Sequence, residues 1–179
     1  MENRKFVIPT LLFFLLPIIS LAYDEATTHP ALTREAIKLF QNAYSAPALS
    51  AGDIKNIERG SSDEDSAPRW IYHFYEPHSR EGLWGFLPSK LWVEDPIEQS
   101  SFVRDRLPFL DYFSHKDDYS WERGIYEYVY GNRDYALKTL GHVVHLVQDK
   151  AVPEHTRLDA HNPSGMRCGP SNLPSKILI

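Results

Sequence analysis

The chain of 179 residues is 42% hydrophobic and 13% aromatic, enough apolar matter for one domain with a real core and too much for a disordered chain. Its formal net charge of −5 provides no general polybasic surface for duplex nucleic acid or anionic lipid. The lone Cys168 excludes an internal disulfide and any thiolate-cluster metal site, so the eight histidines direct any metal reading to nitrogen and oxygen ligands.

Residues 1–22 read as a secretory signal. Arg4 and Lys5 make a basic start, Phe6 to Leu21 is almost unbroken apolar sequence, and Ser20-Leu21-Ala22 fits a small-residue cleavage pattern. Pro9 and Pro17 disfavour a spanning helix, leaving an uncleaved anchor as the alternative. Cleavage after Ala22 makes Tyr23 the new amino terminus and implies a secreted or periplasmic protein.

The first expected helix covers 28–44, with Thr28 as cap, Pro30 in the first turn and Leu32, Ala36, Ile37, Phe40 and Ala43 as its buried stripe. His29 sits in that first turn. A second helix is expected over 50–59, ended by Gly60 acting as a C-cap. Asp63, Glu64 and Asp65 then form an acidic run that reads either as solvated loop or as ligands for a cation. Eight residues beyond Asp65 comes His73, set among Trp70, Tyr72, Phe74 and Tyr75.

Residues 78–118 read as loops around short helices, one of them over 99–113, and residues 120–130 as a helix closed by Gly131. The longest periodic stretch follows. Asn132 caps it, Tyr135, Leu137, Leu140, Val144 and Val147 recur at helical spacing, and Pro153 stops it. His142, His145 and Asp149 fall at i, i+3 and i+7 of that helix, on one face, and His155 follows the proline turn. Imidazoles and a carboxylate converging from a rigid helix suit zinc, which takes about four N or O ligands near tetrahedral geometry. The tail over 162–179 departs in composition from all that precedes it and reads as a docked loop or as a truncated or frame-shifted end. With no strand alternation, internal repeat, phosphate loop or nucleophile elbow in the sequence, the expected fold is all-α.

Four motifs in this order, Thr28-His29, Gly60-x4-Asp65, His73-Phe74-Tyr75 and His145-x3-Asp149-x3-Pro153-x-His155, resemble the bacterial zinc-dependent phospholipase C family, whose relatives include single-strand nucleases. The resemblance spans 23–161 and implies a compact helical domain around a three-zinc cleft. It implies Asp65, His73, His145 and Asp149 on one ion, and the Tyr23 amino terminus with His29 on a second, Asp149 bridging the two. Tyr23 stands where the family commonly has tryptophan. His155, with His161, would begin a third site, but no carboxylate follows His161 to complete it. Two zinc ions are therefore expected. The same likeness selects His145 over His142, which becomes a support behind the ligands or a packing residue, and favours Asp65 over Glu64.

The implied activity is phosphodiester hydrolysis on a phospholipid headgroup. Zinc draws the pKa of bound water toward about 7 and so supplies hydroxide, with Asp65 as the candidate proton acceptor. Aromatic residues around His73 and Trp84 would line the cleft or simply fill the core. The expected partners are a phospholipid or another phosphodiester and a peripheral membrane surface, with no stable nucleic-acid partner, and the protein is expected to be a monomer. A single-strand nuclease or nucleotidase of the same superfamily and a non-catalytic zinc-binding remnant are the rival readings.

Overall fold

A computed structural model describes residues 25–44, 48–66, 69–100 and 118–159. The signal segment, Tyr23, nearly all of the expected 99–113 helix, His115, His161 and the 162–179 tail lie outside the described residues. The described chain forms α1 (Glu25–Ala43), α2 (Ala51–Asp63), α3 (Ser89–Glu94), α4 (Trp121–Tyr130), α5 (Arg133–Gln148) and α6 (Pro153–Thr156). Short 3₁₀ turns occupy Arg69–Tyr72, Leu83–Gly85 and Asp149–Ala151, and residues 96–100 are helical. Among the described residues there is no strand, and no helix is long and apolar enough to cross a membrane.

Local chemistry explains where most helices begin. Ser50 opens α2 with a reciprocal box: its hydroxyl accepts from the Asp53 amide at 3.1 Å while the Asp53 carboxylate accepts from the Ser50 amide at 3.0 Å. Such a cap contributes about 1 kcal/mol. Ser120 caps α4, Gly131 closes it, and the Asn132 side chain accepts from the Asp134 and Tyr135 amides to start α5. Pro153 does more than end that run. It occupies the first turn of α6, where its missing N–H leaves no bond unmade.

Two expectations need correcting. Gly60 does not cap α2, which continues to Asp63. It lies instead where α2 crosses α5. A Cβ on Gly60 would fall 1.9 Å from the Lys138 carbonyl oxygen, and one on Gly141 would fall 2.0 Å from that of Ile57. The paired glycines let the two backbones touch. In α1, Leu32 and Phe40 are both 48% exposed, and Ala36 and Ala43 are exposed as well. The buried line is His29, Thr33 and Ile37, at i, i+4 and i+8, because the first two are hydrogen-bonded to neighbouring helices and are not costly to bury.

The apolar core is divided. Ile37, Ile57 and Leu137 pack together where α1, α2 and α5 meet, while Tyr72, Trp92 and Leu146 form a second cluster toward the other end of α5. Tyr72 and Trp92 stack with centroids 3.9 Å apart. Between these clusters α5 presents His142 and His145, and just past its end comes Asp149, all buried. The polar site is thus enclosed by core rather than laid on the surface.

Candidate metal centre

His29 from α1, Asp65 just after α2, His73 after the first 3₁₀ turn, His145 from α5, Asp149 at its exit and His155 in α6 converge on one region. Asp65 Oδ1 lies 3.5 Å from His73 Nδ1 and 3.4 Å from His145 Nε2. Asp149 Oδ2 lies 3.0 Å from His73 Nδ1 and 3.3 Å from His145 Nε2, and those two nitrogens are 3.3 Å apart. Ligand atoms held tetrahedrally at the usual zinc distances stand about 3.3 Å from one another. Each of the five separations is of the size expected between two ligands of one ion, with Asp65, His73 and His145 forming one potential ligand group and Asp149 falling in the groups with His29 and His145 and with His73 and His155. The other Asp149 oxygen, Oδ1, lies 3.4 Å from His29 Nε2 and 3.2 Å from His155 Nδ1. Asp149 faces two groups of imidazoles with two different oxygens, as a bridging carboxylate does. His155 stands beside that carboxylate, sharing a potential ligand group with His73 and Asp149.

Each of three imidazoles is oriented through its far nitrogen. His145 Nδ1–H donates to the Ser61 carbonyl at 2.6 Å, His73 Nε2–H to the Glu64 carbonyl at 3.2 Å, and His29 Nδ1–H to Gln148 Oε1 at 2.8 Å. In every case the nitrogen that the neutral ring leaves unprotonated is the one facing Asp65 or Asp149. A carbonyl acceptor behind the ring is the usual support of a metal-bound histidine. The rings of His29 and His145 stack at 3.8 Å, an arrangement suited to neutral imidazoles and not to two imidazolium ions.

The acids fit a cation in the same way. Both Asp149 carboxylate oxygens and Asp65 Oδ2 are buried and accept no hydrogen bond. An uncompensated buried carboxylate costs several kcal/mol, whereas a divalent ion satisfies it directly. Without that ion the site holds protons in its place. Burial opposes charging of His145, but Asp149 and Asp65 outweigh it and push the imidazole up to about 10. Burial likewise opposes ionised Asp149, yet His145, His155 and His73 hold it well below the usual carboxylate range. Burial and then the neighbouring His145 push His29 down. Binding a metal to these nitrogens displaces the His145 proton.

Glu64 and Asp65 part company despite being adjacent. Asp65 joins the cluster. Glu64 turns away into a buried knot, accepting from Arg69 Nε at 2.6 Å, Trp92 Nε1 at 3.1 Å and His142 Nδ1 at 2.5 Å. Burial disfavours its charge, but Arg69 and His142 hold its carboxyl far down. His142 is therefore a partner of Glu64 and is not among the grouped ligand residues, though it shares a face of α5 with His145. Lys150, lowered to about 8 by burial against the pull of Asp149, donates to the His73 carbonyl at 3.0 Å and to the Ser89 hydroxyl, tying the exit of α5 to the His73 segment. His78 is exposed, and Trp84, also exposed, packs edge-on against Trp70.

The residues overlooked by sequence reading are the supports: Thr33, Ser61, Arg69, Trp92 and Gln148. Thr33, four residues after His29, was the one with a readable signal, since that spacing places it on the same helix face. Compared with models of known protein families, with curated proteins and with solved structures, the chain finds no match in any of the three. The described residues show an all-helical domain with overlapping His/Asp groups of the metal-binding type, an arrangement consistent with metal-dependent hydrolysis in general.

Proposed function

We propose that the protein is a zinc-dependent phosphodiester hydrolase of the phospholipase C type, secreted and acting on a phospholipid headgroup. The observation that carries this reading is the set of ligand-like separations, each 3.0–3.5 Å, that join Asp65 and Asp149 to His73 and His145 and these two imidazoles to each other. Nitrogen and oxygen ligands with no thiolate suit zinc. Asp65, His73, His145 and Asp149 Oδ2 would hold one ion, and His29 with Asp149 Oδ1 would hold a second, joined by the Tyr23 amino group after signal cleavage. When bound, such ions polarise a phosphoryl oxygen and bring the pKa of water toward about 7.

The protein's own residues do the rest. Asp149 fixes the spacing of the two groups, and the carbonyls of Ser61 and Glu64 keep the imidazoles in their ligand tautomers. Asp65 is 21% exposed and its Oδ2 has no donor, so it can hold a proton at the rim of the site. Two dications over two carboxylates leave a net positive site, which favours an anionic diester over a neutral ester.

The test is zinc content of the purified mature chain, followed by turnover on phosphatidylcholine vesicles, single-stranded DNA and bis(p-nitrophenyl) phosphate. Two zinc ions per chain are expected, with only weak release of the phosphorylated headgroup because the third site lacks its carboxylate. Cleavage of DNA alone would move the protein to the nuclease branch. Full metal uptake with none of the three substrates cleaved would overturn the hydrolase reading.

A further inference from the structure

We infer that Gln148 is a positioning residue: its side-chain amide selects the Nδ1–H tautomer of His29 and thereby presents Nε2 toward the ion beside Asp149. The inference rests on the metal reading above and names a residue which that reading does not require. Gln148 Oε1 is 2.8 Å from His29 Nδ1, and its Nε2 donates to Thr33 Oγ1 at 3.0 Å. Thr33 in turn donates to Ser61 Oγ at 3.0 Å, and Ser61 uses its backbone carbonyl to accept from His145 Nδ1 at 2.6 Å. One chain of hydrogen bonds therefore links the two stacked imidazoles through α1, α2 and α5.

Direction in this chain is what matters. An amide can present either end to a neighbour, and a histidine can carry its proton on either nitrogen. Thr33 and Ser61 are both buried, so their hydroxyls have few other partners. With the Thr33 proton committed to Ser61, Thr33 can only accept from Gln148. The NH₂ end therefore faces Thr33 and the oxygen faces His29. His29 must then donate from Nδ1 and carry no proton on Nε2, which lies 3.4 Å from Asp149 Oδ1. His145 and His73 take the same instruction from backbone carbonyls, which no substitution removes. His29 takes it from a side chain. Without that oxygen the competing tautomer, with Nε2–H aimed at Asp149, becomes favourable and blocks the ligand position.

Gln148→Met keeps length and apolar packing but removes the acceptor, whereas Gln148→Glu keeps the acceptor and adds a charge. A positioning role requires zinc affinity, measured by competition with a chromophoric chelator, to fall about 10- to 100-fold in Q148M. It also requires Q148E to stay within a few-fold of the unaltered protein. The visible spectrum of the cobalt(II)-loaded protein should show altered coordination in Q148M and not in Q148E. A packing role predicts the reverse order, because methionine fills the space and a second carboxylate beside Asp149 does not belong there. Q148M at full affinity, or Q148E weaker than Q148M, overturns the inference. If Q148M does not fold, Thr33→Val decides: it releases the amide to turn, and unchanged zinc affinity in that variant refutes the argument. Failure of the unaltered chain to bind any ion would instead sink the metal reading itself.

Discussion

Replacing Gly141 by alanine should be far more damaging than helix propensity allows. Alanine is favoured over glycine inside a helix by about 1 kcal/mol, so intrinsic preference alone predicts a gain. The structure predicts a loss. The new Cβ would sit 2.0 Å from the Ile57 carbonyl oxygen, 2.7 Å from the Ser61 amide nitrogen and 2.9 Å from the Gly60 Cα, all of them backbone atoms in α2 that have no rotamer to change. Reaching an ordinary contact of 3.4 Å requires the two helices to part by more than 1 Å. That movement breaks the 2.6 Å bond from His145 to the carbonyl of Ser61, the residue whose amide nitrogen is among the contacted atoms. Overpacking costs about 1–3 kcal/mol and an unmet buried hydrogen bond a further 1–3, against the gain of about 1. A net loss of about 1–5 kcal/mol follows, read by urea denaturation of the metal-free chain, together with weakened zinc uptake because His145 leaves its place. Gly52→Ala is the control, since its Cβ meets only Ser50 Oγ at 3.6 Å and should stabilise by up to about 1 kcal/mol. G141A that is as stable as the unaltered protein and takes up zinc normally would show that the glycine contact is not what seats the site.

In the metal-free protein, stability should fall as pH drops from about 6.5 to about 4, because burial lowers His142 to about 4 and the unfolded chain takes up that proton first. The contribution is of order 3 kcal/mol, while His145, pushed up to about 10, titrates outside this window. His142→Gln should flatten the slope in a pH series of urea melts, and an unchanged slope would refute the assignment. Asp65→Asn should reduce zinc uptake, whereas Glu64→Gln should keep the ion count while losing about 3–5 kcal/mol, having left the buried Arg69 without its charge partner. Elemental analysis showing equal zinc loss in both variants would contradict the division of labour between these neighbours.

What the sequence disclosed depended on how far each residue's partner lies along the chain. Ser120, Gly131 and Asn132 could be read as caps because a cap acts on the next turn. Gly60 could not, because its meaning is the backbone of Lys138, far along the chain, and locally it resembles any helix-ending glycine. Apolar spacing likewise misassigned α1. Leu32 and Phe40 look buried until Thr33 and His29 are seen bonding to Ser61 and Gln148. Metal ligands were easier to find than their supports, since His145 and Asp149 must recur one helical turn apart to face the same point. Gln148 carries no such mark.

The separation of Glu64 from Asp65 shows why site and fold cannot be treated as independent here. Beyond Asp63, where α2 ends, consecutive side chains point apart, and the two acids are delivered to different chemistry: one to Arg69, Trp92 and His142, the other to His73 and His145. Fixing the Glu64 side chain with three buried donors also fixes its carbonyl, the acceptor that holds His73 in its ligand tautomer. The knot around Glu64 and the crossing of Gly60 with Gly141 thus set the two halves of the site from behind. Asp65 and His73 are held by the first, and His145 by the second. An ion placed between them then joins elements that the divided apolar core leaves only partly connected.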